Sequence, residues 1–128
     1  MTKLKRTPMT IDELIQQIKS QPDAVSFDDV IDTIDEYFDY TPTHFTNGQG
    51  HDVLINQAGN NEGACKIFAF ATMEGLSEAE TLSCFGKYYR EDVLQHPEGN
   101  DHANIRTFMR QGWSGIRFEQ SALTRNPD

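Results

Sequence analysis

The sequence predicts a mainly α fold, a single compact domain of about five helices with a small irregular or β element at residues 45–57 and 115–118. Two observations support this fold class. Apolar residues recur at helical spacing in successive segments that begin at capping residues and end at glycine or proline. The chain has 128 residues, 37% of them hydrophobic and 24% charged, which suffices for one hydrophobic core and is too apolar for a disordered chain. We therefore expect a flexible arm at residues 1–9, a helical domain at residues 10–120 and a frayed tail at residues 121–128.

The first two predicted helices lie near the N-terminus. Thr10 and Glu13 form a capping box before an apolar stripe that ends near Ser20. Ser26 is expected to cap the second helix, whose apolar stripe reaches Phe38. The other face of this helix is acidic: Asp28, Asp29, Asp32, Asp35, Glu36 and Asp39. We interpret it as a solvated face, with docking to a basic partner and weak divalent-cation binding as alternatives.

A loop and the central helix follow. Regular periodicity is lost across residues 40–59, where we expect one or two short extended pieces and a hairpin around Asn47-Gly48. The third helix is predicted to begin at residues 60–61, where either asparagine can cap it. Its residues 64–73 are apolar nearly all round, so we expect this helix at the centre of the protein.

The fourth predicted helix opens with a second capping box, Ser77 and Glu80, and runs toward Gln95. Gly86 lies inside it. Because glycine costs about 1 kcal/mol relative to alanine within a helix, its presence predicts a close backbone contact at this point.

The C-terminal part is predicted to hold a last helix and a short strand. Asn100 is expected to cap the helix, which stops at Gly112. Residues 115–118 are predicted to form a short strand that pairs with residues 53–55, and the polar tail from Ser121 is expected to be frayed.

Charge, hydropathy and cysteine content exclude several classes of protein. A net charge of −9 disfavours binding to phosphate backbones and to anionic membrane surfaces, and no apolar run is long enough to span a bilayer. We therefore expect no nucleic-acid and no membrane partner. Cys65 and Cys84 fall in apolar helical patterns, which favours two reduced, buried thiols over a disulfide.

Four stretches of the second half carry a resemblance to a known family: NEGACKIFAFA, FGKYYREDVL, HPEGNDHANIR and GWSGIRF. Over about residues 10–123 the chain resembles the HopJ type III effector proteins, also called HopPmaJ-like. The resemblance implies a bacterial protein that resides in the cytoplasm or is secreted into a host cell by a type III system. It implies a host-protein partner in the effector relatives, and it supplies no catalytic residues.

A candidate polar pocket lies where the third helix begins. It comprises Asn61, Glu62, Lys66, His102 and Arg106. Free amides at a helix start favour anions, so a small acidic ligand can lodge between the residue 40–60 loop, this helix start and the residue 96–102 segment. This hypothesis predicts that Glu62, Lys66, His102 and Arg106 face one cleft. The alternative is that the polar side chains cap the helix and tie down the loop.

A candidate interface mixes basic and aromatic side chains, a composition enriched where proteins meet. Its residues are Lys87, Tyr88, Arg90, Arg110 and Trp113. Within the chain, Arg106 and Arg110 share a helical face that can pair with the acidic second helix. Alternatively, Arg106 or Arg90 pairs locally with Asp101, Glu91 or Glu98.

We predict no catalytic residue, no metal and no cofactor. The four histidines lack the spacing of zinc motifs, and Cys65 has no cysteine-protease signature around it. The leading hypothesis is a small acidic protein-binding domain. The alternative is a small-ligand-binding protein or enzyme that uses the polar pocket. The sequence leaves the activity, the partner, secretion and the oligomeric state open.

Overall fold

The computed structural model describes residues 9–127, so the expected arm at residues 1–9 lies almost entirely outside the described part. The α-helices are α1 Ile11–Ser20, α2 Phe27–Tyr37, α3 Glu62–Glu74, α4 Glu78–Ser83 and α5 Ala103–Gln111, and a π-helix spans Tyr88–Val93. Short 3-10 turns occupy Pro22–Ala24, Gly50–Asp52 and Gly112–Gly115. The strands are β1 Phe38–Tyr40, β2 Phe45–Asn47, β3 Leu54–Asn56, β4 Arg117–Phe118 and β5 Leu123–Arg125. The fold is a mixed α/β single domain in which helix predominates, with more strand than the sequence predicts.

The prediction that α3 is the central helix is confirmed. Cys65 and every residue from Ile67 to Ala71 are buried, and α2, α4 and β5 all contact the helix. The ring of Phe68 lies at the middle of an aromatic cluster formed with Phe45, Phe85, Phe108 and Trp113. Both cysteines are free and buried, as expected.

The caps predicted for the first, second and fourth helices form with the expected hydrogen bonds, whereas Asn61 occupies the N-cap position of α3 without a capping bond from its side chain. Thr10 and Glu13 bond each other's backbone at α1, and Ser77 and Glu80 do the same at α4. The Ser26 hydroxyl caps α2, which ends at Tyr37; Phe38 and Asp39, predicted on this helix, lie in β1 instead.

The fourth predicted helix is interrupted. Gly86 adopts a left-handed φ of +59° after α4 has ended, and the chain resumes as the π-helix. The close backbone contact predicted for this glycine is confirmed, because a Cβ here would lie 2.7 Å from the backbone nitrogen of Phe27. The predicted Asn100 cap of the last helix is wrong: the N-cap position is His102, which has a left-handed φ of 51° and makes no capping bond with its side chain.

Two strand pairings differ from the predictions. The residue 45–57 segment does form an antiparallel pair, β2 with β3, but β4 pairs with β2 and not with residues 53–55. Phe118 stacks on Phe45 at 5.2 Å between ring centroids, so the aromatic contact selects this neighbour. The tail beyond Ser121 is not frayed throughout, because β5 pairs with β1 and buries Leu123.

None of the helices in residues 9–127 combines the length and the apolar character that crossing a membrane would require.

Candidate functional site

A cleft of about 480 Å³ opens where the starts of α3 and α5 meet β3. All of β3 lines it, together with Gly63 and Ala64 of α3 and residues 103–105 of α5. The aromatic rings of Phe27, Phe85 and Tyr88 supply apolar surface. This position matches the one predicted for the polar pocket, between the residue 40–60 loop, the start of the third helix and the segment that ends at His102.

An asparagine network forms the polar wall of the cleft and extends behind it. Asn56 and Asn104 bond each other reciprocally at 2.9 and 3.1 Å, and Asn61 Nδ2 donates to Asn56 Oδ1 at 2.7 Å. The fully buried Asn47 donates from Nδ2 to the backbone carbonyl and the side-chain oxygen of Asn104. The network therefore ties the β2–β3 hairpin to the starts of both helices.

Both helices begin at the cleft with unusual caps. Asn61 and His102 have left-handed backbones, with φ values of 54° and 51°, and neither side chain caps its own helix. Asparagine and histidine tolerate this conformation better than most residues. The positive ends of two helix dipoles therefore meet at one cleft, where they favour a carbonyl or carboxylate oxygen.

His102 has a defined polar environment at the cleft. Its Nε2 lies 2.9 Å from Asp92 Oδ2 and 3.9 Å from Asp101 Oδ2. Its ring lies 5.2 Å from that of Tyr88, with the two planes tilted by 34°. An imidazole beside a carboxylate at the edge of a cleft can bind a proton, form a hydrogen bond with a ligand or coordinate a metal ion.

The predicted pocket residues do not all meet. Asn61 and His102 line the cleft, whereas Glu62, Lys66 and Arg106 do not. The expectation that Glu62, Lys66, His102 and Arg106 share one cleft is therefore wrong. Lys66 Nζ instead bonds Asp35 Oδ1 at 2.8 Å, because α2 packs on the same helix and presents its acidic face there.

Arg106 binds groups outside the cleft, in the π-helix and in the segment between it and α5. Its guanidinium bonds Asp101 Oδ1 at 2.6 Å and the backbone carbonyls of Asp101, His96 and Asp92. The local pairing with Asp101 is confirmed, and the alternative pairing of Arg106 and Arg110 with the acidic second helix is wrong. Arg110 donates to the Arg106 carbonyl and to the Thr107 hydroxyl. The Arg106 hydrogen bond holds the pKa of Asp101 below its ordinary value.

Glu62 is exposed and lies near Tyr40 and Cys65 rather than in the cleft. Burial, together with the nearby Cys65 and Glu62 side chains, raises the pKa of Tyr40. Neither side chain completes a well-formed hydrogen bond, so the buried Tyr40 hydroxyl has no partner among the described residues. Burial also raises the pKa of Cys65, although the nearby Tyr40 and Thr43 lower it, and a raised pKa favours the packing role over a thiolate nucleophile.

The candidate interface residues are dispersed. The Trp113 indole packs on Phe68, and its Nε1 donates to the Leu76 carbonyl at 3.1 Å. Arg90 donates to the carbonyls of the Pro22–Ala24 turn and its C-cap. Lys87 and Tyr88 remain exposed. With Arg110 engaged on α5, the predicted set does not form one surface.

Sequence reasoning missed part of the cleft. Asn104, Phe27 and Phe85 line the cleft but are not among the predicted residues, and neither is Asp92, which contacts His102. An asparagine at the second position of a helix is an ordinary residue, and aromatic residues on a predicted apolar face indicate core. Only the folded chain brings Asn104 to Asn56, so the sequence offers no local signal for the network.

Comparisons with known proteins identify a family and a similar solved structure. The family model described as HopJ type III effector protein matches residues 11–123. A search of curated proteins finds no significant match. The chain is similar to a solved structure described as "unknown function protein VPA0580", with 44% identity over 97% of this chain and 100% of that chain, and a TM-score of 0.89. The chain belongs to the HopJ type III effector protein family.

Proposed function

We propose that this chain is a small protein-binding domain, and that the cleft between β3 and the starts of α3 and α5 receives an extended segment of its partner. The observation that carries the proposal is that three consecutive residues of an edge strand line one open cleft. Successive side chains of a strand point to opposite faces. Because the cleft touches all three residues, we infer that it follows the free edge of the strand.

The edge of β3 is suited to strand addition. In the sheet order β3-β2-β4, β3 is bonded to β2 on one side and has no strand on the other among the described residues. An extended peptide that pairs there gains main-chain hydrogen bonds, and its alternate side chains reach the cleft. The strand spans only Leu54–Asn56, so the helix starts and aromatic rings must supply the rest of the contact.

The surface around the cleft supplies the apolar contact. Ile55 is 64% exposed and Tyr88 is 42% exposed, so both large side chains offer contact surface where they line the cleft. The backbone N–H groups at the two helix starts complement a carbonyl or carboxylate of the incoming segment. We expect an extended partner segment with apolar side chains that alternate with hydrogen-bonding groups.

We extend the proposal to localisation and partner. Family membership supports a chain that is made in the bacterial cytoplasm and exported by a type III system, with a host protein as partner in the effector relatives. We assign it no cofactor and no catalytic residue.

A photocrosslinking experiment tests the proposal. A benzophenone amino acid replaces Ile55 in one variant and Met73 in a matched control, because Met73 is also exposed at 50% but does not line the cleft. Both variants are irradiated in the native cytoplasm and in host extract. A discrete crosslinked product from Ile55, absent from Met73, supports the proposal. No reproducible product from Ile55, or the same product from both positions, refutes it.

A further inference from the structure

We propose that Asp92, Asp101 and His102 form a binding site for a divalent transition-metal ion. The three side chains each offer one ligand atom, and these atoms lie within 4.8 Å of one another. The π-helix carries Asp92, and the approach to α5 carries the other two. This inference does not depend on partner binding in the cleft.

The donor set indicates the class of metal. One imidazole nitrogen and two carboxylate oxygens suit Zn²⁺, Mn²⁺ or Fe²⁺, whereas Ca²⁺ takes oxygen ligands and Cu(I) selects sulfur. Three protein ligands leave at least one coordination position open. His102 also lines the cleft, so the metal would sit at the edge of the cleft.

The distances are close to those that a bound ion requires. Ligand atoms about 2.0–2.2 Å from one metal lie at most roughly 4.4 Å apart. The His102 Nε2 distances of 2.9 Å to Asp92 Oδ2 and 3.9 Å to Asp101 Oδ2 fall within that limit. Both carboxylates are about half exposed, at 48% and 58%. Small side-chain rotations can therefore bring them into coordination distance.

Neighbouring groups orient these ligands. Arg106 holds Asp101 Oδ1 and leaves Oδ2 on the side of His102. The same guanidinium bonds the Asp92 carbonyl, which fixes the end of the π-helix. The Tyr88 ring lies against the imidazole at 5.2 Å between centroids. Hydrogen bonds to ligating carboxylates, such as the one from Arg106 to Asp101, help hold metal ligands in place in known sites.

An ion pair between His102 and Asp92 alone would not explain why Asp101 also faces the imidazole. A protonated His102 needs only Asp92, the nearer carboxylate. Asp101 already has Arg106 as its partner, yet its second oxygen also faces the imidazole. A divalent cation satisfies both carboxylates and a neutral imidazole at once.

Calorimetric titration of the full, tag-free chain tests the site, with ZnCl₂ and MnCl₂ as the probes. Asp92→Asn and His102→Asn remove ligands, and asparagine suits the left-handed backbone at residue 102. Asp35→Asn and His51→Asn are the matched controls, because neither belongs to the cluster. Co²⁺ loading provides a second readout through visible absorption.

We expect saturable binding of one ion per chain for at least one of the two metals, weakened at least about 10-fold by either ligand substitution and unchanged in the controls. Circular dichroism checks that each variant is folded; if His102→Asn is not, Asp92→Asn decides. The proposal is overturned if neither metal binds saturably, or if a folded ligand variant binds like the unsubstituted chain. Crosslinking at Ile55 tests partner binding in a separate experiment, so the metal-site proposal and the partner-binding proposal can each fail without the other.

Discussion

Gly86→Ala tests how the chain positions the apolar side of the cleft. Gly86 lies between Phe85 and the π-helix, and its φ of +59° is left-handed. A Cβ at this position would lie 2.7 Å from the backbone nitrogen of Phe27, whose ring lines the cleft. Because the obstructing atom belongs to the backbone, no side-chain rotation can relieve the contact.

Gly50→Ala is the matched control. Gly50 has a similar φ of +63°, and a Cβ there would meet nothing within 4 Å. Both substitutions incur the left-handed penalty of about 1–2 kcal/mol, and both restrict the unfolded chain equally. Gly86→Ala adds the cost of overpacking, about 1–3 kcal/mol. We therefore expect it to lower the free energy of unfolding by about 1–3 kcal/mol more than Gly50→Ala.

Urea unfolding monitored by circular dichroism and tryptophan fluorescence measures both variants under the same conditions. A larger loss for Gly86→Ala confirms the close approach. If the free energy of unfolding falls equally in the two variants, or falls less in Gly86→Ala, then the backbone of α2 does not closely contact Gly86.

Three further predictions concern the rest of the fold. The Ser77 backbone N–H holds the pKa of Glu80 below 4.5, so its stabilisation is present above that pH and is lost as the pH falls through the lowered value. Glu80→Gln should flatten the acid limb of stability against pH, and an unchanged limb would contradict this. Burial raises the pKa of Cys84 to about 12, so its thiol should react with a disulfide reagent only in denaturant, and rapid native labelling would contradict its burial. Trp113→Phe leaves the Leu76 carbonyl unpaired and should cost about 1–3 kcal/mol in urea unfolding, whereas a neutral result would refute the role of that hydrogen bond.

Local signals in the sequence predict the helices well. Ser26 and the pair Ser77–Glu80 mark helix starts because a side-chain oxygen must satisfy the first backbone amides. The run at residues 64–73 predicts the central helix because an apolar surface on all sides can only be buried. These features depend on neighbours within one or two helical turns.

Features that depend on distant parts of the chain were not predictable. Phe38 pairs with Arg125 in one sheet, and Phe45 pairs with Phe118 in the other, although most of the chain lies between the two members of each pair. Gly86 interrupts a helix because Phe27 of another element approaches it. A window of local residues contains neither partner.

In the candidate site, too, local features were predictable and contacts between distant segments were not. Asn61 and His102 were predicted to lie near a common pocket, and both line the cleft. Lys66 and Arg106 were assigned to it because they are polar and close in sequence to those residues. Asp35 and Asp101 bind them elsewhere, and those choices depend on how α2 and the π-helix pack.

The most direct test of the cleft as a binding site is an amide chemical-shift titration with a synthetic peptide that spans the segment crosslinked to Ile55. We predict that the largest shifts map to residues 54–56, 61–64 and 102–105. Shifts concentrated outside the cleft, around Met73 and residues 118–123, would contradict the proposal that the partner occupies the cleft.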